Sequence, residues 1–445
     1  MQMKEINVLD YGAVGNGVFD NSHIFSDIFS NDNIKVVIPA GTFLTGPVRL
    51  KSNTTVVLEK GSILKFSDNP NLYKPVYSRW EGVRCWCMHP CIYAEHEHDV
   101  VITGEGTIDG NGSFWWRSLR QKIAQDADPQ WPIEKTLASL NKDYRQQPGG
   151  GGGRKTQYLR PSLLRWDYCE KITLSGVTVT NSPCWTVHPV FSENIEINNI
   201  TIINPYDSPN TDAIDIDSCR NVHISGCNIT VGDDAICLKS GSGQDGIDAG
   251  VPTENIVVEN CFVMHSHGAV VIGSETAAGI KNAVFRNCVF NGTDRGIRIK
   301  SRRGRGGSIS DILFCDIKMD KAMCPVVFNM FYKCGTKEDW PFTLEKLEKN
   351  SCTPSISNVT IENLVATDCS CSAGFFAGLP ESPVKNVMMK NCRISIAPNA
   401  CTDTDNAAMS KGLLHVEGRG IRIINSDIAF DDVQIEGTMQ PFIYG

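Results

Sequence analysis

The stretch NVHISGC at residues 221–227 has the pattern of a short β-strand followed by a polar corner. Apolar Val222 and Ile224 alternate with polar residues, which is the period of a half-buried strand, and the corner then precedes Cys227. Seven other stretches repeat this pattern, and most neighbouring copies begin 23 to 34 residues apart: KITLSGV (171–177), NIEINNI (194–200), NIVVENC (255–261), NAVFRNC (282–288), DILFCDI (311–317), NVTIENL (358–364) and NVMMKNC (386–392).

A repeat of this length is typical of stacked coils, in which each coil buries the apolar face of its neighbours and the strands pair in parallel. We therefore predict an all-β chain that forms a right-handed parallel β-helix, a solenoid with loop and helical excursions. Residues 1–445 are interpreted as one domain.

Two columns of the repeat indicate how the coils stack. The last position alternates between cysteine and aliphatic residues, so its cysteines are interpreted as small buried hydrophobes. The preceding position is rich in asparagine, which predicts a ladder of stacked amides at the corner. The two columns are Val177, Ile200, Cys227, Cys261, Cys288, Ile317, Leu364 and Cys392, and Gly176, Asn199, Gly226, Asn260, Asn287, Asp316, Asn363 and Asn391.

Three regions depart from the repeat. An N-terminal cap is predicted over about residues 1–35, with a helix at 21–29. A first excursion over about 112–160 has helical patterning, and a second, less regular excursion covers about 320–357.

Two short motifs are better explained by structure than by ligand binding. GGGGGRKT (149–156) resembles a phosphate-binding loop, but Arg154 stands where the last glycine is required and no apolar strand precedes it, which favours a flexible loop. VRCWCMHPC (83–91) has three cysteines and a histidine that could bind zinc. It lacks the second half of such a site, so core filling is favoured.

Composition limits the classes of partner. The net charge of −8 and the pI near 5.7 argue against general binding to nucleic acid or to an anionic membrane. No apolar run is long enough to span a membrane. The N-terminal sequence MQMKEINVLDYGAVG lacks the features of a secretion signal, so we expect a cytoplasmic location, unless a signal has been removed. Oligomeric state is left open.

Four neighbouring strands can be aligned across coils: TDAIDIDS (211–218), DDAICLKS (233–240), HGAVVIGS (267–274) and RGIRIKS (295–301). Their apolar positions coincide and are predicted to face inward. Because parallel strands lie about 4.8 Å apart, Asp212 and Asp234 should lie within about 5 Å of each other. Asp233 is one residue outside the strand, where the chain enters from a turn. With His267, these acids are expected to converge at one edge of the sheet.

This cluster predicts acid–base chemistry on an anionic substrate. Close carboxylates raise the pKa of at least one member, as a general acid at neutral pH requires, and the others can polarise a water molecule. The alternative is that the acids merely cap turns. Arg298 and Lys300 alternate with inward-facing isoleucines and so lie on the same face as the acids, where they suit recognition of a carboxylate.

The motifs Asn210-Thr211-Asp212, Asp233-Asp234, Ser266-His267-Gly268 and Arg298-Ile299-Lys300 resemble, in that order, those of the polygalacturonase family of glycoside hydrolases, whose members are right-handed parallel β-helices. The resemblance runs through nearly the whole chain, from LDYGAVGNG (9–17) to the last coils. In one position the chain departs from the pattern, because Ser266 stands where the family has glycine.

The resemblance implies inverting hydrolysis of α-1,4-galacturonosyl bonds without a metal or other cofactor. Asp233 would be the general acid, and Asp212 and Asp234 would activate the attacking water. His267 would tune or relay protons near the acid. Arg298 and Lys300 would bind a galacturonate carboxylate, with Asn210 also on the substrate side. The implied partner is an anionic pectic polysaccharide or oligogalacturonide.

The segments RWEGVRCW (79–86), NSPCWTVHP (181–189) and 112–160 resemble bacterial members that act from chain ends, which favours exo action over endo action. Three alternatives remain at this point. The first is a relative acting on rhamnogalacturonan or another pectin backbone. The second is a calcium-dependent pectate lyase that uses the three aspartates as ligands. The third is a non-catalytic solenoid that binds polysaccharide.

Overall fold

The chain is wound into a parallel β-helix. The computed structural model describes residues 3–141, 159–401 and 407–445. A central coil contributes three strands in succession, for example Arg220–Ser225, Asn228–Thr230 and Asp234–Lys239. Each of these strands pairs in parallel with the equivalent strand of the next coil, as the repeat predicts.

Within the described residues, 22 strands form a long sheet that covers two faces of the solenoid, because the strands of the later coils run on around one corner. Its strands are Lys4–Asn7, Asn16–Asp20, Ile34–Ile38, Gly41–Thr45, Thr54–Leu58, Ser62–Phe66, His98–Gly104, Thr107–Asp109, Glu170–Ser175, Thr178–Thr180, Glu193–Asn198, Thr201–Ile203, Arg220–Ser225, Asn228–Thr230, Thr253–Glu259, Phe262–Met264, Ile280–Arg286, Val289–Asn291, Ser308–Asp320, Ser355–Cys369, Val384–Ile396 and Ser426–Glu436.

The third face is a second sheet, of 12 strands in the described chain. Its strands are Val48–Arg49, Ile92–Glu95, Leu164–Asp167, Val187–Val190, Ile214–Asp217, Asp234–Lys239, Gly268–Gly273, Arg295–Lys300, Cys324–Asn329, Gly374–Ala377, Ile421–Ile424 and Phe442–Tyr444. A separate antiparallel hairpin is formed by Pro75–Trp80 and Val83–Met88. In the middle of the second sheet both faces are buried, since every residue of Asp234–Lys239 is shielded from solvent.

The register of the long sheet matches the sequence repeat. The second position of each copy pairs with the second position of the next, as Ile195 with Val222 and Val222 with Ile256. The fourth position does the same, as Ile224 with Val258. These residues belong to one continuous hydrophobic core, so stacking buries the same column in every coil.

Asparagine ladders form at the corners. The predicted ladder is present where the Asn363 amide donates to Asp316 (2.9 Å) and the Asn391 amide donates to Asn363 (2.8 Å). A second ladder, which was not predicted, uses the first residue of the repeat: Asn255 donates to Asn221 (3.0 Å) and Asn282 donates to Asn255 (2.7 Å). The ladder residues have positive φ, a conformation that asparagine tolerates better than most residues.

The cysteines of the repeat are buried in the core, as predicted, and all eighteen cysteines of the chain are free thiols. The cysteines of residues 83–91 have different neighbours. The Sγ atoms of Cys85 and Cys87 lie 3.8 Å apart, whereas the Cys91 Sγ lies 3.8 Å from the Tyr73 hydroxyl oxygen. The His89 ring packs against the Tyr93 ring, with 5.2 Å between the ring centroids.

Helices lie outside the coils. The N-terminal cap contains α1 (Ser22–Phe29), and the first excursion contains α2 (Ser113–Gln125) and α3 (Pro132–Leu140), as the helical patterning predicts. A short helix α4 (Gly243–Ala249) was not predicted. Single 3₁₀ turns occur at Val8–Tyr11, Pro70–Leu72 and Trp340–Phe342. None of the helices described is long and apolar enough to cross a membrane.

The predicted boundaries of the second excursion, 320–357, are wrong. The range contains Cys324–Asn329, a regular strand of the second sheet, and the next coil begins at Ser355. The irregular segment is therefore confined to residues 330–354. The strand was missed because CPVVF is a continuous apolar run that buries both of its faces. The GGGGGRKT segment and Arg154 lie outside the described residues.

The ladder at Asn255 predicts a difference between two substitutions. Asn255→Ala removes both amide hydrogen bonds. It also places alanine at φ 59°, a backbone conformation that alanine tolerates poorly. The free energy of unfolding should therefore fall by about 1–2 kcal/mol. Asn255→Gly also removes the amide but accepts positive φ, and a smaller loss is expected. Urea unfolding of both variants measures this, and equal losses would contradict a contribution from the backbone conformation.

Candidate active site

The predicted acids and histidine come together at the start of consecutive strands of the second sheet. The Asp234 carbonyl accepts a hydrogen bond from the Ala213 N–H (3.0 Å), and the Asp233 carbonyl accepts one from the His267 N–H (3.0 Å). Carboxylate oxygens of Asp212 and Asp234 lie within 4.8 Å of each other, as predicted from the strand spacing. The strand itself begins at Asp234, so Asp233 belongs to the turn before it.

Asp234 is buried beneath the cluster and fully paired. Its Oδ1 lies 3.2 Å from Arg298 Nη1, and its Oδ2 accepts a hydrogen bond from Lys300. Burial favours the neutral acid, but Lys300 and Arg298 outweigh this effect and hold the pKa of Asp234 well below its usual range. A Cβ at Gly268 would approach Asp234 Oδ1 to 2.9 Å, which explains the glycine beside this carboxylate. Asp234 therefore stays ionised.

Asp212 has the opposite electrostatic character. Its side chain is also buried, and its Oδ1 has no hydrogen-bond partner within residues 3–141, 159–401 and 407–445. Burial raises the pKa of Asp212 well above its ordinary value, and the negative charge of Asp233 raises it further. The expectation that close carboxylates raise the pKa of one member applies to Asp212, where the charge of Asp233 adds to the larger effect of burial.

Asp233 is more accessible to solvent than Asp212. Its side chain is 24% exposed, and its Oδ1 lies 3.5 Å from His267 Nδ1. The hydrogen bond to Asp233 raises the pKa of His267, although the partial burial of the ring opposes this shift. The ring of Tyr206 stands edge-on to His267, with 6.2 Å between ring centroids. Asp233 and His267 thus form a contact that solvent can reach.

A second buried ionic cluster adjoins the first and was missed by sequence reasoning. Lys239 Nζ lies 3.4 Å from Asp215 Oδ1 and 3.3 Å from Glu275 Oε2, and Arg305 Nη1 lies 3.2 Å from Glu275 Oε1. Burial raises the pKa of Asp215 to about 7. Burial also opposes ionisation of Glu275, but Lys239 and Arg305 lower its pKa to about 2.

The sequence held a signal for one of these residues. Asp215 is in register with Cys237, the column that also leads to Arg298, so its outward direction follows from the strand alignment. Glu275 follows the strand Gly268–Gly273 and comes back towards Lys239 through a loop, and no periodic pattern predicts that approach.

The two clusters line one cleft of about 320 Å³. Six of the seven predicted site residues line it, and Asp234 lies behind them. The Asn210 side chain is held in place by Arg160, whose Nη2 donates to its Oδ1 (2.8 Å). The lining residues are Glu81, Trp185, Asn210, Asp212, Asp233, Lys239, His267, Ser274, Glu275, Arg298, Lys300, Arg305, Tyr332, Cys334 and Met409.

One group in the described chain has the spacing of a cation site: Asp212, Asp234 and Cys237, with ligand atoms within 4.8 Å of one another. Its electrostatics do not suit a metal ion. Both oxygens of Asp234 already contact cationic side chains, and burial raises the pKa of the Cys237 thiol well above its usual value. A divalent ion would have to displace those cations and deprotonate a buried thiol.

The hairpin Pro75–Met88 forms one wall of the cleft. Arg79 Nη1 lies 2.6 Å from Asp217 Oδ1, and both side chains are fully buried. At the tip, the Gly82 carbonyl accepts a hydrogen bond from the Ser242 N–H (2.9 Å). A Cβ at Gly82 would lie 2.6 Å from Glu275 Cγ, so glycine lets the tip pack directly on that residue. Glu81 then faces the cleft.

Comparison with known proteins places this chain in a family. A family profile described as "Glycosyl hydrolases family 28" matches residues 145–411, more than half of the chain. The chain belongs to glycosyl hydrolase family 28. A probable polygalacturonase from Vitis vinifera is 31% identical over 419 residues, which are 90% of this chain and 77% of the relative.

Two further relatives of this family 28 enzyme bear exo-acting names. The exo-poly-alpha-D-galacturonosidase of Dickeya chrysanthemi is 29% identical over 381 residues, 81% of this chain and 62% of the relative. The crystal structure of a hyperthermoactive exopolygalacturonase from Thermotoga maritima superposes with a TM-score of 0.78 at 30% identity, covering 98% of this chain and 93% of that chain. The parallel β-helix and the glycoside hydrolase class predicted from the sequence are confirmed.

The pairing of Asp234 predicts how stability of this family 28 enzyme depends on pH. Asp234 has a lowered pKa when folded, so its ionised form stabilises the fold above the unfolded pKa near 4, and this contribution is lost as the pH falls through the folded pKa. In Lys300→Met the carboxylate loses a cation but stays buried, so its folded pKa rises. The variant should lose about 3 kcal/mol at pH 7 and distinctly less near pH 4.

Urea unfolding at the two pH values measures this difference. Lys281→Met is the matched control, because Lys281 forms an exposed pair with Glu254 and its loss should cost less than about 1 kcal/mol. An Lys300→Met deficit that stays constant between pH 7 and pH 4 would contradict the stated electrostatics of Asp234.

Proposed function

We propose that this family 28 enzyme hydrolyses α-1,4-galacturonosyl bonds of polygalacturonate and oligogalacturonides with inversion, releasing sugar from a chain end. The observation that carries the proposal is the arrangement of the three aspartates. Asp212 and Asp233 face the cleft together, while Asp234 lies behind them, ionised by Arg298 and Lys300. The polygalacturonase names of the relatives support the choice of substrate class.

Inverting hydrolysis needs one protonated and one ionised carboxyl group on opposite sides of the scissile bond. Asp233, which is the more exposed acid and contacts His267, donates its proton to the glycosidic oxygen as the bond from that oxygen to C1 breaks. A water molecule attacks C1 from the opposite face of the sugar. This water gives one proton to the carboxylates of Asp212 and Asp234. The reaction consumes one water molecule and forms one new reducing end and one leaving alcohol.

The raised pKa of Asp212 is compatible with these roles. Burial is the first cause of that shift and the negative charge of Asp233 is the second, so part of the shift is removed when Asp233 carries the proton that it donates. The lower proton affinity of Asp212 then favours the ionised form that assists the attacking water. The proton then returns to Asp233 through His267 or solvent after product leaves.

Recognition of a uronate follows from the cations of the cleft. Arg298 and Lys300 together carry two positive charges and share one anion, Asp234, so an excess positive charge faces the cleft. The Tyr332 ring lies 5.3 Å from both cationic groups and helps to fix them. Charge-assisted bonds to a substrate carboxylate are favoured in this setting.

The hairpin supports action from a chain end. It covers the outer face of the second sheet on the N-terminal side of the aspartates, and buried Arg79 and Asp217 anchor it there. Arg84 adds an ion pair to Asp245 of helix α4 (3.0 Å), and Asn141 after α3 hydrogen-bonds the backbone of Trp86 on the far side. A polysaccharide running along the sheet meets this wall, so its terminal sugar stops at the cleft.

Product analysis tests the proposal. Incubation with polygalacturonate should release monomeric galacturonate from the beginning of the reaction, with the inverted anomer as first product by proton NMR and with no effect of a chelator. A ladder of oligomers would contradict exo action. An unsaturated, ultraviolet-absorbing product would indicate a lyase, and activity on rhamnogalacturonan alone would indicate a different backbone. A cytoplasmic location is part of the proposal and is tested by cell fractionation.

Replacement of the proton donor tests the assignment of Asp233. Asp233→Asn keeps the shape of the side chain but cannot donate an acidic proton, so kcat should fall at least 10³-fold with little change in unfolding midpoint. Asp207→Asn is the control, since Asp207 is an exposed carboxyl paired with Arg120. An Asp233→Asn variant with kcat within tenfold of the wild type would contradict the role.

A further inference from the structure

The cleft contains two separate groups of cations, and only one of them is explained by the function proposed above. Arg298 and Lys300 pair with Asp234. Lys239 and Arg305 form the second group, next to the hairpin tip at Glu81 and Gly82. Within the described residues, the ion pairs of this second group are with Asp215 and Glu275 and not with Asp212, Asp233 or Asp234.

Lys239 is held at the end of a strand and directed into the cleft. Leu238 is in register with Ile272, and Ile272 is in register with Ile299. The residues that come next, Lys239, Gly273 and Lys300, therefore occupy one column of the second sheet. Two strand spacings of about 4.8 Å place their backbones roughly 10 Å apart. The residue between them, Gly273, has no side chain to fill the space.

The contacts of Lys239 leave capacity for another anion. Its ammonium group lies 3.4 Å from Asp215 and 3.3 Å from Glu275, whereas a charge-assisted hydrogen bond has a typical length of about 2.7–2.9 Å. Asp215 has a pKa raised to about 7 by burial, so at neutral pH it carries only part of a negative charge. These two carboxylates account for two of its three N–H donors at most, and the side chain lines the cleft.

The surroundings of Lys239 fit a sugar acid. Its ammonium lies 4.6 Å from the centroid of the Trp185 ring, which gives an apolar surface beside the cation. Arg305 lies on the other side of Glu275 and is held by Ser242, whose hydroxyl accepts from Nη1 (2.7 Å). Glu275 and Glu81 supply carboxylate oxygens that can accept hydrogen bonds from hydroxyl groups.

We propose that Lys239, supported by Arg305, is a second uronate-binding site, which binds the carboxylate of the sugar at the hairpin end of the cleft while Arg298 and Lys300 bind that of the neighbouring sugar. This rests on the proposed function. The enzyme therefore requires free carboxylates on both sugars that flank the bond, and Lys239 determines the requirement at the chain-terminal one.

The test compares two substrates in two proteins. One substrate is trigalacturonate, and the other is the same trimer with the non-reducing terminal carboxylate converted to its methyl ester. The wild type should prefer the acid by roughly 10- to 100-fold in kcat/KM, the usual effect of losing one charge-assisted hydrogen bond. In Lys239→Met, which keeps the length of the side chain without the charge, this preference should fall close to unity.

The ratio separates binding from a structural role. If Lys239 only neutralises Asp215 and Glu275, Lys239→Met lowers kcat/KM for both substrates in parallel and the preference is unchanged, which would overturn the proposal. Lys239→Arg should retain most of the preference, and it provides a folded variant if the methionine variant unfolds. Lys281→Met, a surface variant outside the cleft, should behave as wild type.

The wild type alone gives a further outcome. Equal hydrolysis of the acid and the ester would overturn the second binding site while leaving the proposed function intact. Absence of product from both trimers and from polygalacturonate would instead overturn the proposed function, and this inference with it.

Discussion

Hydrogen bonding between parallel strands fixes the spacing of adjacent coils at about 4.8 Å, and the arrangement of the active site depends on that spacing. A residue in one coil meets its counterpart in the next at a distance at which charges interact strongly. Asp212 and Asp234 are brought together in this way, and Arg298 and Lys300 reach Asp234 from the later coils. The solenoid therefore converts motifs that begin 23 to 33 residues apart in the sequence into one ionic cluster.

The burial of this cluster makes its charges interdependent. Three aspartates that are all ionised at one place would repel one another, and the chain resolves this with two different environments. Asp234 is neutralised by two cations, whereas Asp212 forms no ion pair within the described residues and favours its proton. These two carboxyl groups therefore differ in proton affinity although they are neighbours, because the solenoid gives them different environments.

The sequence was sufficient for those parts of the structure that follow from local periodicity. Strand alternation predicted that the apolar positions of the four aligned strands coincide and that Arg298 and Lys300 lie on the same face as the acids. It did not predict that Arg298 and Lys300 contact Asp234, because the reach of long side chains is not encoded in a period of two. The strand Cys324–Asn329 was placed in an excursion because it has apolar residues throughout and no alternation to mark it.

The closed end of the cleft lay beyond sequence reasoning for a different reason. The pair Arg79–Asp217 joins residues 138 positions apart, and the hairpin that carries Arg79 belongs to no repeat, so no register relates it to the coil it covers. Its position is nevertheless strongly determined. Removing one partner of a buried ion pair costs several kcal/mol, and both Arg79 and Asp217 are fully buried, so this pair holds the hairpin against the sheet. With the hairpin held in this way, Glu81 at its tip lines the cleft together with Trp185 and Glu275. The proposed release of sugar from a chain end places the terminal sugar next to these three residues, because the hairpin tip packs directly on Glu275 through Gly82.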